Sequence, residues 1–307
     1  MPVRKRRRTD SFEKLPSCHF CDWSGSSKQD AYERSAEDIL NRYEIGRKLG
    51  EGGFGCVYEG KRLKDDLEVA VKIARKPRNM KYISIPGHPA PLPLEVGLLI
   101  LDNRGSKVPE IIELLDWQDQ PDQYIMVLER PSHCQDLCGF LERRGGTLNE
   151  DTARYIMTQA TMAADMCCCR GVFHRDIKLE NLLINTDTLE VKLIDFGCGD
   201  LLHESAYGIF CGTREYYPPE YFTDGKYHGK PATVWSLGVL LFVLVCGRFP
   251  EPRDVQMIHD DIWSEPGLSN GKIAFITTKK TNCNLKHTKQ RNKEKLTPQP
   301  SGFIKDG

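Results

Sequence analysis

The sequence predicts an α+β fold of two lobes, a small first lobe that is mostly sheet and a larger helical one. Three observations predict it. From Tyr43 onward short apolar stretches broken by glycine lead into Glu68-Val69-Ala70-Val71-Lys72-Ile73, which reads as strands. Beyond Pro131 the apolar spacing turns helical. The chain has 307 residues, 39% of them hydrophobic, enough for one large domain or two lobes around a sizeable core. With 28% charged residues the composition excludes a collagen, a coiled-coil rod and a wholly disordered chain.

Along the chain, residues 1–42 are polar, charged and Ser-rich without periodicity, and read as a disordered tail. Pro93-Leu94-Glu95-Val96-Gly97-Leu98-Leu99-Ile100-Leu101 predicts a helix entered by proline, with Gly97 costing it about 1 kcal/mol. Tyr124-Ile125-Met126-Val127-Leu128 predicts a buried strand. Asn149 is placed to cap a helix with Glu150 and Asp151 in its first turn, Ile156, Ala160, Ala163 and Cys167 on one face, and Gly171 as terminator. A second helix, over 231–246, is apolar nearly all round and should be the buried centre of the second lobe. After Asn270 the apolar pattern gives way to Thr, Lys and Asn, and 271–307 is expected to be a disordered basic tail.

Lys+Arg and Asp+Glu balance at 43 each, but the balance hides an asymmetry. Arg4-Lys5-Arg6-Arg7-Arg8 and the cation-rich 271–307 segment leave an acidic body between two basic ends. That distribution disfavours a nucleic-acid-binding core and permits cationic partners. The most apolar run, 237–247, is shorter than the roughly 18–20 residues of a membrane helix, so no membrane span is expected. No apolar stretch follows the N-terminal charges, so the 12 cysteines are expected to be reduced thiols of an intracellular protein. The basic run fits either a nuclear-import signal or a solvated charge run, and the expected location is cytoplasmic or nuclear. Cys18-His19-Phe20-Cys21 has metal-ligand spacing but no matching second pair, and reads as free thiols.

The residues that carry chemistry come in a fixed order. Gly50-Glu51-Gly52-Gly53-Phe54-Gly55-Cys56-Val57 is a GxGxxG, by itself a weak sign shared with dinucleotide folds and hairpins. A dinucleotide site wants a helix after the glycines and an acid about 20 residues on. Here Lys72 stands at that distance inside a strand, where it can pair with α/β-phosphates while Glu95 on a helix holds it. His174-Arg175-Asp176-Ile177-Lys178-Leu179-Glu180-Asn181 sets a carboxylate, a cation and an amide to converge on a hydroxyl, a phosphate and a metal. Asp195-Phe196-Gly197 supplies a second metal-binding carboxylate at the end of a strand over 189–194.

On these motifs the chain resembles the eukaryotic protein kinases over about 43–270, and more closely the Pim serine/threonine kinases. The narrower likeness rests on Leu114-Leu115-Asp116-Trp117, Leu128-Glu129-Arg130-Pro131, Gln135-Asp136-Leu137, Leu193-Ile194-Asp195-Phe196-Gly197, Gly212-Thr213-Arg214, Pro218-Pro219-Glu220 and Val234-Trp235-Ser236-Leu237-Gly238. The resemblance implies a bilobal fold with a first lobe over 43–128, a hinge at 129–131 and a second lobe over 132–270. ATP and Mg²⁺ are the implied cofactors. Leu49, Gly50, Glu51, Gly52, Gly53, Phe54, Gly55, Val57, Ala70, Lys72, Leu128, Glu129, Leu183 and Asp195 would contact the nucleotide, with Leu128 as gatekeeper and Val57, Ala70 and Leu183 around the adenine. Pro131 lacks an N–H, so the adenine loses one hinge hydrogen bond. Leu99 would pack toward Phe196 and His174.

By the same likeness Asp176, Lys178, Asn181, Lys72 and Glu95 form the catalytic set, and Asn181 and Asp195 hold the metal. Lys178 points to serine/threonine rather than tyrosine substrates, and Thr213 should hydrogen-bond near Asp176 and Lys178. Asp136 and Glu180 match positions that receive a substrate arginine, while Gly139 and Arg248 stand where the family has acids. The implied activity is transfer of the γ-phosphate to Ser/Thr of basic-residue-directed protein substrates by a monomer.

Three departures qualify the likeness. The segment Tyr207-Gly208-Ile209-Phe210-Cys211-Gly212 lacks the family's aspartates, so Arg175 should seek another partner, such as Glu204 or phosphorylated Ser205. Thr233 replaces an aspartate that braces the catalytic loop in most kinases. The family's last helices find no counterpart after Asn270, which should leave Glu220 unpaired and an apolar face of the 231–246 helix exposed. A truncated, nucleotide-binding or partner-binding module is therefore the alternative to an active enzyme.

Overall fold

The computed structural model describes residues 38–260 and 262–264; the basic run, the Cys18 and Cys21 pair and the 271–307 tail lie outside the described residues. Strands β1 (Tyr43–Gly52), β2 (Gly55–Arg62) and β3 (Glu68–Arg75) form an antiparallel meander. The short β4 (Tyr82–Ile83) and β5 (Leu92–Pro93) lead into helix α1 (Leu94–Asp102). Strands β6 (Leu114–Asp119) and β7 (Gln123–Glu129) complete a five-stranded sheet of order β1-β2-β3-β7-β6.

The pleat of β3 and β7 divides the first lobe's work. Side chains alternate between faces along a strand, and cross-strand partners share a face. Val69, Val71, Ile125 and Val127 therefore pack together on one face, with Ile39 and Tyr43 over them. Lys72 opposes Val57 on β2 and Met126 on β7, and Ala70 opposes Leu128, so Val57, Ala70, Lys72 and Leu128 line the other face. Ile39 belongs to a 3-10 turn capped by Asp38 and is only 1% exposed. The packed domain thus begins by Asp38, within the stretch expected to be tail. The polar composition of 1–42 masks this buried anchor, which Tyr43 and the Arg42–Asp116 ion pair hold against the sheet.

Pro93 is the N-cap of α1 rather than its first helical residue. Gly97, an apparent cost to that helix, has a packing reason: a Cβ there would fall 2.5 Å from Ile83 Cδ1, so glycine lets β4 lie on the helix.

In the second lobe β8 (Cys134–Asp136) precedes α2 (Leu137–Arg143), capped by Asp136. Helix α3 (Glu150–Cys169) starts at Asn149, whose side chain accepts from the Thr152 N–H at 2.9 Å, and stops before Gly171 at φ +75°. Strand β9 (Val172–Phe173) follows, then β10 (Leu182–Asn185), which pairs with β8 and with β11 (Val191–Leu193); β12 (Asp200–Leu201) pairs with β9. Strand β11 is shorter than the expected 189–194, because Leu189 turns at φ +61°. Helices α4 (Pro219–Asp224), α5 (Gly229–Cys246) and α6 (Pro252–His259) complete the described lobe.

Helix α5 begins two residues before Pro231, which the first turn tolerates because its missing N–H has no intrahelical partner there. Its 18 residues, mean hydropathy 1.7, meet the length and composition of a membrane span that the shorter run had excluded, but 61% of them are buried in the domain. All of Val239, Leu240, Leu241, Phe242, Val243, Leu244 and Val245 are buried, and the Trp263 ring packs tilted against Phe242 at 5.4 Å. The apolar face expected to be exposed is covered along this stretch. Glu220 is half-buried and, among the described residues, has no ion pair.

The two lobes share one core, in which Val96, Leu98 and Leu99 of α1 join Ile156 and Ala160 of α3, Leu182, Leu193, Phe196 and Leu240. One ionisable group sits inside this seam. Asp102, at the end of α1, is 0% exposed, and burial pushes it up to about 7 against the smaller pull of the Cys167 thiol and Arg170. An acid raised on folding stabilises the native state fully below its unfolded value, near 3.8, and loses that contribution as pH rises through about 7. Asp102→Asn should therefore raise the thermal midpoint at pH 8, with a difference of at most about 4 kcal/mol that closes toward pH 4; thermal melts across pH read this directly.

Candidate active site

The site begins with a charge that the sheet buries. Lys72 Nζ lies 2.5 Å from Glu95 Oε1 and 2.7 Å from Asp195 Oδ1, with Lys72 and Glu95 only 5% and 4% exposed. Burial alone disfavours the ammonium, but the Glu95 and Asp195 carboxylates outweigh it and hold Lys72 above its ordinary value. Burial pushes Glu95 up, against the pull of Lys72 and of Tyr124, whose hydroxyl donates to Glu95 Oε2 at 2.8 Å. Asp195 is pushed up by burial yet ends below the usual carboxylate range, because of Lys72 and the Gly197 N–H. Sequence reasoning missed Tyr124 as a site residue, although the period of two along β7 puts it on the same face as Met126 and Leu128.

The second centre is Asp176, 5% exposed. Its Oδ1 accepts from the Thr213 N–H at 2.9 Å and the Thr213 hydroxyl at 2.8 Å. Its Oδ2 accepts from Asn181 Nδ2 at 3.0 Å and pairs with Lys178 Nζ at 2.9 Å. Lys178 also donates to Thr213 Oγ1 at 2.8 Å, so the three side chains close a triangle, as expected for Thr213. Burial opposes the Lys178 charge, but Asp176 raises it above its ordinary value. His174 underpins the loop: the Asp176 N–H donates to Nδ1 at 3.3 Å, which leaves Nε2 to donate to the Ile194 carbonyl at 3.0 Å. Burial lowers its pKa and keeps it neutral, and its ring meets Phe196 edge-on at 4.7 Å. Leu99 shares the core cluster of Phe196.

Asn181 and Asp195 are tied together by backbone, since the Ile194 N–H donates to the Asn181 carbonyl at 2.9 Å. Asp195 itself sits at φ +62°, a strained conformation for a non-glycine residue, worth about 1–3 kcal/mol. A carboxylate and an amide carbonyl beside Lys72 suit a hard cation that keeps water and phosphate oxygens in its shell. Among the described residues no cluster of three or more His, Cys, Asp or Glu forms a self-sufficient metal cage.

Over this floor lies the turn of β1 and β2. Gly50, Gly52 and Gly53 face open space, where an added Cβ meets nothing within 4 Å, so backbone can approach a phosphate. Gly55, at φ +137°, is dictated by the protein, since a Cβ would fall 2.4 Å from the Ile73 carbonyl. Phe54 tucks beneath, its ring against Gly197 and 5.9 Å from Lys72 Nζ. Leu49 is exposed, and Glu51 pairs with Lys48 at the loop tip. At the far end Val57, Ala70, Leu128 and Leu183 are half-buried. The Glu129 N–H is taken by the Glu113 carbonyl at 3.0 Å and Pro131 has none. Together these walls offer an apolar slot, a glycine cradle and two cation-binding oxygens.

The acidic partner of Arg175 is neither Glu204 nor Ser205 but Asp200 on β12. Asp200 also takes Lys81 at 3.2 Å, and the guanidinium lies 5.1 Å from the Tyr207 ring. Glu204 lies out of reach, paired with Lys230 at 3.6 Å and almost fully exposed. Pairing of β9 with β12 is the tertiary fact that brings Asp200 to Arg175, and no local pattern announces it. Thr233 does not brace the loop; its hydroxyl returns to the Gly229 carbonyl within α5 at 2.9 Å. Asp136 and Glu180 are exposed, and with Glu142 their charges bear on Cys138 between them. Gly139 lies against Asp136 as the first turn of α2, and Arg248 is held by both oxygens of Asp254 at 2.6 and 3.0 Å.

The chain matches the protein kinase domain family over residues 43–295. It is 44% identical over 227 residues to the serine/threonine-protein kinase pim-2 of Danio rerio, covering 72% of this chain and 73% of that protein. It is 40% identical over 228 residues to the serine/threonine-protein kinase prk-2 of Caenorhabditis elegans, covering 74% of this chain and 50% of that one. With CBL-interacting protein kinase 20 of Oryza sativa subsp. japonica the identity is 36% over 220 residues, covering 69% of this chain and 46% of the relative.

The Arg175 contact yields a stability test. Asp200→Ala leaves a guanidinium whose side chain is 8% exposed facing no carboxylate. Loss of one partner of a buried pair costs about 3–5 kcal/mol, and the aromatic contact softens it, so a loss near 3 kcal/mol in urea unfolding is the expected outcome.

Proposed function

The chain belongs to the protein kinase domain family as a Pim-like serine/threonine kinase, and we propose the following division of labour in its site. ATP is the phosphoryl donor, and Mg²⁺ when bound supplies neutralisation of phosphate charge. Asp195 and the Asn181 amide oxygen hold the metal, and Lys72, positioned by Glu95 and Tyr124, holds the α/β-phosphates. Gly50, Gly52, Gly53 and Gly55 bring backbone against the phosphates, while Val57, Ala70, Leu128 and Leu183 enclose the adenine.

Asp176 receives the proton of the substrate hydroxyl. Two partners fix each of its oxygens, the Thr213 N–H and hydroxyl on Oδ1 and Asn181 and Lys178 on Oδ2. Lys178 stands beside that oxygen as the cation that steadies the moving phosphoryl group. The observation that carries this reading is the Asp176, Thr213 and Lys178 triangle set beside the Lys72, Glu95 and Asp195 cluster.

Substrates are proteins presenting Ser or Thr near basic residues. Support comes from the exposed Asp136 and Glu180 and from the Arg248 charge, which Asp254 neutralises rather than leaving it to repel a substrate cation. The proposal includes a monomer in the cytoplasm or nucleus, consistent with the Arg4-Lys5-Arg6-Arg7-Arg8 run and with nine cysteines among the described residues that form no disulfide.

Asp176→Asn should lower phosphotransfer by roughly 10²–10⁴-fold while Mg-ATP still raises the thermal midpoint. A wild-type chain that binds Mg-ATP but transfers no phosphate, or an Asn variant as active as wild type, would overturn the assignment. Glu180→Gln should raise KM for an arginine-containing peptide about fivefold, an effect of about 1 kcal/mol, and leave an arginine-free peptide unchanged.

A further inference from the structure

Lys192 has no part in the proposed chemistry, yet it joins three pieces of chain beside the adenine slot. It sits on β11 and opposes Leu183 across the β10–β11 pair, so it neighbours a residue proposed to enclose adenine. Its ammonium lies 2.9 Å from Glu129 Oε1, with the two side chains 18% and 19% exposed, and donates to the Pro109 carbonyl at 2.6 Å. Glu129 ends β7 at the hinge, and the same Oε1 accepts the Glu113 N–H at 2.9 Å. Pro109 and Glu113 belong to the connection from α1 to β6, which is itself pinned to β11. There the Ile112 N–H donates to the Leu193 carbonyl at 3.1 Å, and the Leu193 N–H donates to the Glu110 carbonyl at 2.8 Å. The end of α1 is tied to that connection too, because Asn103 Nδ2 donates to the Ile112 carbonyl at 3.1 Å and its Oδ1 accepts the Leu114 N–H at 2.6 Å.

Two crossings between the lobes therefore lie side by side, the covalent one at 129–131 and the hydrogen-bonded one at 109–113, and Lys192 bridges them. Its strand belongs to the second lobe, whereas both of its acceptors lead into the first. A rotation of one lobe on the other thus stretches the ion pair, and partial burial screens that pair less than water would. Asp195 follows Leu193 by two residues and makes the 2.7 Å contact to Lys72 across the lobes. What holds β11 against the first lobe also holds this carboxylate near its cation. We propose that Lys192 is a positioning residue: its bonds to Glu129 and the Pro109 carbonyl clasp the lobes in the orientation that brings Asp195 to Lys72, and so tighten nucleotide binding. Lobe orientation is a recognised variable of such two-lobed sites, since closure assembles groups that neither lobe holds alone.

The effect on turnover rests on the phosphotransfer reading above; the clasp does not, and the two are read separately. In the full-length chain Lys192→Met keeps an unbranched side chain and removes the charge. The expected result is a Kd for Mg-ATP, by calorimetry, about fivefold higher, with KM for ATP following it and kcat within about twofold of wild type. Hydrogen exchange should quicken over 109–114 and at Leu193 and stay unchanged in α3, a pattern that general loosening does not give. Lys192→Arg, whose guanidinium also meets a carboxylate, should bind Mg-ATP within about twofold of wild type. Glu129→Gln should weaken binding by itself and add little in the Lys192→Met background, because both changes break one pair. An unchanged Kd, a kcat that falls as far as kcat/KM, faster exchange in α3 as well, or additive effects of the two substitutions overturns the proposal. A wild-type chain that binds Mg-ATP but transfers no phosphate would sink the phosphotransfer reading, while Kd and exchange would still decide the clasp.

Discussion

One buried cation organises this molecule. An ammonium that is 5% exposed is costly unless carboxylates meet it, and the Lys72 partners come from different parts of the fold. Glu95 comes from α1 in the first lobe and Asp195 from the strained turn after β11 in the second. Satisfying one charge therefore demands that the sheet, the helix and the second-lobe turn be in register at once. Tyr124 on β7 adds a fourth element to the same demand. A displacement of α1 would leave a buried charge without its partner, so helix position and site integrity are a single condition.

The chemistry-bearing part was legible because its residues lie in short local motifs. The glycine run, Lys72, the loop from His174 to Asn181 and the Asp195 turn all fall together as read, and Thr213 reaches Asp176 and Lys178 as the resemblance implied. What escaped depends on contacts between segments. Asp200 meets Arg175 only because β12 pairs with β9, and two consecutive glycine-flanked residues give no local hint of that pairing. Ile39 is one apolar side chain in a polar stretch, and composition averages it away. The helix over 231–246 was legible almost to its ends, but the apolar run counted for a membrane span began only at Leu237, past Trp235 and Ser236, which the helix buries or half-buries all the same.

Arg175 and Asp200 also bear on how the loop is held ready. The guanidinium already has a carboxylate, a second cation in Lys81 sharing it, and an aromatic face at Tyr207. These contacts come from unmodified side chains of three separate segments, the loop before β4, β12 and the stretch after it.

The Phe54 ring has a consequence for ligand discrimination. It rests on Gly197 at a separation no Cβ could share and lies 5.9 Å from Lys72 Nζ, while 36% of the residue stays open to solvent. A compact planar molecule confined to the slot between Val57, Ala70 and Leu183 can leave the ring in place. A ligand that extends to Lys72 comes close to the ring, which lies 5.9 Å from that ammonium. Molecular length thus decides whether a ligand meets the glycine-rich turn as well as the slot.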